Sequence, residues 1–154
     1  MSDLKPGDRA PDFDLPADGG GRARLADYAG RSVVLYVYPK DDTSGCTSEA
    51  KDFTALAPQF ASKGAVVVGL SKDTPRSHDK FKGKYDLDVV LASDEDTSVM
   101  QRYGVWVEKS MYGRKYMGAE RATFLIGPDG MVRQVWRKVS VPGHAQAVLA
   151  ALGG

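Results

Sequence analysis

Apolar positions follow two rhythms along this chain. Ser32–Tyr38 (SVVLYVY) and Ala65–Ser71 (AVVVGLS) are almost unbroken runs of β-branched, aliphatic and aromatic residues, the first lying between Gly30 and Pro39. Runs of that length and composition predict strands covered on both faces. Between them Ala50, Phe53, Ala57 and Phe60 recur at three- and four-residue steps, which predicts one face of a helix. Pro58 lies inside that helix and is expected to kink its last turn or two, with Gly64 as the stop.

The remaining pattern predicts shorter elements. Asp12–Leu15 and Arg22–Leu25 flank the turn Gly19-Gly20-Gly21 as an N-terminal β-hairpin. Helices are expected over Pro75–Lys84 and about Asp96–Arg102, the latter capped by Asp94 or Asp96 and stopped by Gly104, with a short strand at Val89–Leu91 before it. Ala122–Ile126 and Met131–Trp136 flank Gly127-Pro128-Asp129-Gly130, a strong turn sequence, and are expected to pair antiparallel. Ala145–Leu152 closes the chain as an amphipathic helix. The order β-α-β-α-(β)-α-β-β-α implies an α/β chain: a mixed central sheet with helices on both faces, compatible with a thioredoxin-like fold. Residues 1–154 are expected to form a single domain.

Composition narrows the function classes. The chain is 42% hydrophobic and 27% charged, enough apolar material for a sizeable core and enough charge for solubility, and its net charge is only +1. That balance argues against nonspecific binding to nucleic acid or anionic membrane, which needs a clustered basic surface. The opening Met1-Ser-Asp-Leu-Lys-Pro-Gly-Asp lacks a signal-peptide core, and the apolar runs are too short to span a bilayer. A single cysteine allows no internal disulfide, so a cytoplasmic location is expected. His78 and His144 are expected on helical or turn surfaces without a metal-ligand partner, so no metal site is expected. Lys109–Tyr116, mixing basic and aromatic residues, is expected as a solvated loop.

The candidate chemistry lies at Cys46, in Pro39-Lys-Asp-Asp-Thr43-Ser-Gly-Cys46-Thr-Ser-Glu49, between the first long strand and its helix. The thiolate is the nucleophilic form, and this spacing sets the sulfur on a helix's first turn, where free N–H groups and the dipole favour an anion. A thiol at an ordinary pKa of about 8.5 is roughly 3% ionised at pH 7; lowering that to about 6 takes about 3.4 kcal/mol. One helix end supplies about 0.3–1 kcal/mol, up to about 2 when partly buried. A cation and a hydroxyl or amide donor should therefore converge on the sulfur. Thr43, three residues earlier, can supply the hydroxyl, and Pro39 can shield the site without offering a competing N–H.

Pro39-x-x-x-Thr43-x-x-Cys46 resembles the active-site signature of the peroxiredoxins. The longer string from Tyr38 to Phe53 resembles the PrxQ or bacterioferritin-comigratory-protein branch, as do Gly7-Asp-Arg-Ala-Pro-Asp-Phe13 and Gly104 through Ile126. The resemblance covers essentially the whole chain. It implies a thiol-dependent peroxidase acting on hydrogen peroxide and organic hydroperoxides. Cys46 would be the peroxidatic cysteine, Thr43 would orient the peroxide, Arg121 would be the missing cation, and Glu49 would hold an arginine in position. No metal, flavin or haem is implied.

Two departures bear on the cycle. Relatives carry a resolving cysteine five residues after the peroxidatic one, or on the next helix; those positions here hold Lys51 and, near enough, Lys82. Ser44 also stands where proline is usual. A one-cysteine cycle follows, in which the sulfenic acid is reduced by an external thiol, glutaredoxin with glutathione or thioredoxin, or condenses with Cys46 of another copy. A monomer or weak homodimer is the expected state. An alternative remains open: a redox sensor or holdase switched by oxidation of Cys46. A thiol–disulfide exchange protein would normally use Cys-x-x-Cys, and the second cysteine is missing.

Overall fold

The computed structural model describes residues 4–152; Met1–Asp3 of the opening segment and Gly153–Gly154 of the expected 1–154 unit lie outside the described residues. A five-stranded sheet organises them. Its strands are β3 (Ser32–Val37), β4 (Ala65–Ser71), β5 (Val90–Ser93), β8 (Ala122–Ile126) and β9 (Val132–Trp136), in the order β5-β4-β3-β8-β9. β3, β4 and β5 run parallel, while β8 is antiparallel to both β3 and β9. The two apolar runs are thus the central strands, with β3 buried from Val33 to Val37.

Two small antiparallel pairs flank the sheet: β1 (Asp14–Pro16) with β2 (Arg22–Arg24), and β6 (Trp106–Met111) with β7 (Arg114–Ala119). Helix α1 (Ser44–Ser62) crosses from β3 to β4 and runs on through Pro58. α2 (Pro75–Tyr85) crosses from β4 to β5, with the Thr74 hydroxyl accepting the Ser77 N–H at its start. α3 (Ser98–Arg102) and α4 (His144–Leu152) complete the set.

Each face of the sheet carries its own core. On one, Tyr36, Val67 and Leu91 meet Cys46, Phe53 and Phe60 of α1, Phe81 of α2 and Val148 of α4. On the other, Leu35, Val68 and Phe124 meet Phe13 and Ala23 of the N-terminal segment and Met100 and Tyr103 in and after α3. Apolar burial on both sides is what an all-apolar strand requires.

Two expectations need correction. Lys109–Tyr116 is not a loop: it spans the turn of the β6–β7 hairpin, where Tyr112 (φ 53°) and Gly113 (φ 77°) both take positive φ. Two such residues form the tight turn whose twist matches antiparallel strands. Its exposed residues, Tyr112 at 98% among them, hid the strand alternation. His78 and His144 are not on the surface either; both are buried. His78 shares with Phe81, three residues on, the face of α2 turned to the sheet, and His144 begins the face of α4 continued by Ala145 and Val148.

α3 is too short to hold itself, and Asp94 holds it. The fully buried carboxylate accepts N–H bonds from Val99 (3.3 Å) and Met100 (2.8 Å), while Asp96 accepts from Ser98 (3.0 Å). Burial pushes the Asp94 carboxyl above the usual carboxylate range. Asp94→Ala strands two buried donors and is expected to lower unfolding free energy by about 1–3 kcal/mol, read from urea denaturation. Asp96→Ala, at an exposed position, is expected to cost less; equal costs would show that burial of the cap is irrelevant.

Candidate active site

Ligand crevices in open α/β sheets form beyond the carboxyl ends of the parallel strands. β3 ends there at Val37, the chain turns through Pro39–Asp42, and α1 begins at Ser44. Thr43 is the extended residue before the helix (φ −95°, ψ 157°), and its carbonyl accepts the Thr47 N–H at 2.8 Å, closing the first turn. Cys46 is the third helical residue, only 1% exposed, and packs with Tyr38, Ala50 and Phe53. Apolar surroundings alone would disfavour a thiolate. A cation reaches the sulfur from the neighbouring strand's approach.

Strand register brings Arg121 to this point. Val37 pairs with Ala122, so the next antiparallel position sets Arg121 opposite Tyr38, where β3 leaves the sheet. Arg121 Nη2 donates to Cys46 Sγ at 3.3 Å and Nη1 donates to Glu49 Oε1 at 2.6 Å. Glu49 lies three residues after Cys46, so both partners share one face of α1. Gly45 leaves room for the guanidinium, since a Cβ there would sit 3.2 Å from Nη2. The Arg121 backbone is held as well: its carbonyl accepts the Val139 N–H at 3.0 Å. Next to it, Glu120 takes two bonds from Arg137, at 2.7 and 3.0 Å, and Arg137 also reaches the Gly104 carbonyl at 2.9 Å.

Opposing forces act on these charges. Burial raises the Glu49 carboxyl to about 7 even though Arg121 pulls it down, and its second oxygen, Oε2, is buried without a hydrogen-bond partner among the described residues. Burial also works against the Arg121 charge, but Glu49 and the sulfur together hold its pKa above the ordinary value. His144 bonds through Nε2 to the Thr123 hydroxyl at 2.8 Å, and burial, with Arg121 adding, holds its pKa down. The constellation can therefore present a cation to sulfur while a carboxylate steadies that cation from behind.

The other two sequence candidates sit at the edge. Pro39 is half-buried at the strand exit, and Thr43 is exposed with its hydroxyl donating to the Lys40 carbonyl at 2.9 Å. Among the described residues no hydrogen bond joins that hydroxyl to Sγ. Nor does any cluster of three or more His, Cys, Asp or Glu residues suited to a metal occur among them.

Sequence reasoning missed the buried network holding the Pro39–Asp42 turn. Asp41 accepts from Tyr38 Oη (2.6 Å) and Ser77 Oγ (2.8 Å), and its Oδ2 lies 2.7 Å from His78 Nδ1. His78 Nε2 faces the Ala92 carbonyl at 3.0 Å, and the Asp41 N–H donates to Asp73. Both ring nitrogens of His78 thus meet an oxygen, one of Asp41 and one of the backbone. The signal was available in the apolar face of α2, where His78, Phe81 and Tyr85 recur at three- and four-residue steps.

The AhpC/TSA family matches over residues 6–135. The putative peroxiredoxin bcp of Coxiella burnetii is 47% identical over 149 residues, covering 97% of this chain and 99% of the relative. Among solved structures, the bacterioferritin comigratory protein of Xanthomonas campestris, described in terms of its alkyl peroxide reduction activity, matches with a TM-score of 0.88. It is 47% identical, over 92% of this chain and 90% of that one. A mutant of Xylella fastidiosa PrxQ matches with a TM-score of 0.94 at 39% identity, covering 99% and 98%. The fold is that of the thioredoxin-like peroxiredoxins.

Glu49 couples this site to folding. Its proton is held more tightly in the folded chain, so its contribution to stability is full below about pH 4.5 and is withdrawn as pH rises to about 7. Wild type is expected to lose on the order of 3 kcal/mol relative to Glu49→Gln across that window. Urea midpoints of both proteins at several pH values measure it, and a flat difference would remove the shift from Glu49.

Proposed function

The chain belongs to the AhpC/TSA family, among its Bcp and PrxQ peroxiredoxins, and from that premise we propose that Cys46 is its peroxidatic nucleophile. It is a thiol-dependent peroxidase. In our reading the Cys46 thiolate attacks the terminal oxygen of hydrogen peroxide or an organic hydroperoxide. The O–O bond breaks, water or an alcohol leaves with the proton, and the sulfur is left as a sulfenic acid.

The observation that carries the reading is the guanidinium of Arg121, bonded at once to Sγ and to Glu49. A fixed cation on the sulfur favours the thiolate and can follow the negative charge as it moves to the departing oxygen. Thr43, at the mouth of the helix, orients the incoming peroxide once its hydroxyl turns from the Lys40 carbonyl. Pro39 limits water at the strand exit. Glu49 positions Arg121.

The reductive half is external. Cys46 is the chain's one cysteine. Where relatives can carry a second sulfur, Lys51 lies over the Tyr85 ring and Lys82 pairs with Asp18 at 2.7 Å. An external thiol condenses with the sulfenic acid to a mixed disulfide and water, and a second thiol releases Cys46 and the external disulfide. Glutathione with glutaredoxin, or thioredoxin, supplies those thiols. We read 1–154 as one peroxiredoxin domain, because both cores share one sheet, acting in the cytoplasm as a monomer or weak homodimer. No described helix is long and apolar enough to cross a membrane.

Cys46→Ser is expected to abolish peroxide consumption with an unchanged circular dichroism spectrum; residual turnover would take Cys46 out of the reaction. Arg121→Ala is expected to slow the reaction with hydrogen peroxide by about 10²–10³-fold and to slow alkylation of Cys46 at neutral pH. An unaltered alkylation rate would dismiss Arg121 as the activating cation. Excess peroxide without thiol is expected to carry Cys46 on to the sulfinic acid, visible as two added oxygens by mass spectrometry. A stable sulfenate under those conditions would mean that something else protects the sulfur.

A further inference from the structure

α2 carries Arg76, Lys80 and Lys84 at four-residue spacing, one row along a helix, and all three are exposed. They line a cleft of about 470 Å³ whose opposite wall is Asp41 and Asp42, with Phe81 in its floor. Lys84 pairs with Asp42 at 2.9 Å, whereas Arg76 and Lys80 have no ion pair among the described residues. Asp41 is only 7% exposed, and its carboxylate is taken up by bonds from Tyr38 and Ser77 and by contact with His78 Nδ1. Three cations thus face one exposed carboxylate, Asp42, in a concavity large enough for a small ligand. In a chain whose net charge is only +1, that concentration of charge is local.

One wall of the cleft lies close in the chain to Cys46. Only Thr43, Ser44 and Gly45 separate Asp42 from Cys46, so their Cα atoms lie on the order of 10 Å apart or less. A tripeptide in extended form spans roughly 10 Å. A thiol of peptide size with its carboxylates in the cleft therefore has the reach to bring its sulfur to the start of α1.

We propose that the Arg76–Lys80–Lys84 cleft is the carboxylate subsite for a peptide-sized thiol bearing two carboxylates, which reduces oxidised Cys46. This rests on the one-cysteine cycle argued above. In that cycle each turnover consumes two external thiols, and the sulfenic sulfur of Cys46 must be reached by a molecule much larger than a peroxide. Cations at the cleft concentrate an anionic thiol beside it. A neutral thiol gains nothing from them.

The test separates the two half-reactions, with glutathione as the dicarboxylate probe and dithiothreitol as the uncharged one. Arg76→Glu/Lys80→Glu, and the milder Arg76→Ala/Lys80→Ala, change exposed residues outside the catalytic constellation. Oxidation of Cys46 by hydrogen peroxide is expected to proceed at the wild-type rate in both variants; if wild type itself fails to react, it is the peroxidase reading that falls. Reduction of the sulfenate by glutathione is expected to drop about tenfold or more in the charge-reversal variant, less in the alanine variant, and to lose its dependence on ionic strength. Reduction by dithiothreitol is expected to stay unchanged. Glutathione rates equal to wild type, an equal loss with dithiothreitol, or a loss confined to glutaredoxin or thioredoxin would each overturn the subsite, the last in favour of a protein-docking surface.

Discussion

A single guanidinium carries the electrostatics of this molecule. Arg121 lies between a sulfur at 3.3 Å and a carboxylate at 2.6 Å, both almost fully buried. Burial beside Tyr36, Tyr38 and Phe53 would make a Glu49 carboxylate costly without it. The same burial that makes the arrangement expensive makes it effective, because a charge–charge interaction weakens as water screens it. Glu49 carries the tension: burial drives its carboxyl to about 7, so at neutral pH it is balanced between holding Arg121 as an anion and as a neutral partner.

Most of the fold around this point serves to make three side chains coincide. Cys46 and Glu49 come from one helical face, while Arg121, 75 residues after the cysteine, immediately precedes β8 and is delivered by its antiparallel register against β3. On each side a polar clamp fixes the delivering backbone. The Asp41–His78 pair, with Tyr38 and Ser77, holds the turn before α1; the Glu120–Arg137 pair and the Val139 N–H hold the turn before β8. A buried ion pair is not in itself strong evidence of stability. Its use here is geometric, since a misplacement of about 1 Å at a reacting centre is costly.

What could be read from residues alone divides along the same line. The two apolar runs, the helix between them and the Gly127–Gly130 hairpin follow from local pattern, and they appear where that pattern puts them. Cys46 at the head of a helix follows too, because a strand exit and a helix start are both local events. Arg121 does not: twenty-one lysines and arginines compete, and only resemblance to a known family singled it out, register being a long-range property. The β6–β7 hairpin was lost because β7 is mostly exposed and β6 is buried only in part and without regular alternation, so the pattern of a half-buried pair is missing. The buried histidines were lost for the opposite reason. A polar residue on an apolar face reads as surface until its partners, Asp41 and Thr123, are brought in from elsewhere in the chain.

The two halves of the proposed one-cysteine cycle would make unequal demands on this architecture. A peroxide is a few atoms across and needs only a narrow approach to a sulfur that is 1% exposed; a thiol must bring a larger body in line with the S–O bond. On the proposed cycle, reduction would ask more room at the start of α1 than oxidation. The helix is built lightly at that end: the Thr43 hydroxyl bonds back to Lys40 and makes no side-chain cap, forgoing a contribution of about 0.5–2 kcal/mol. Downstream of the first turn, Ala50, Phe53 and Phe60 are locked in the core. The few residues that carry the sulfur thus lie between a turn anchored by Asp41 and a helix body anchored by aromatic packing.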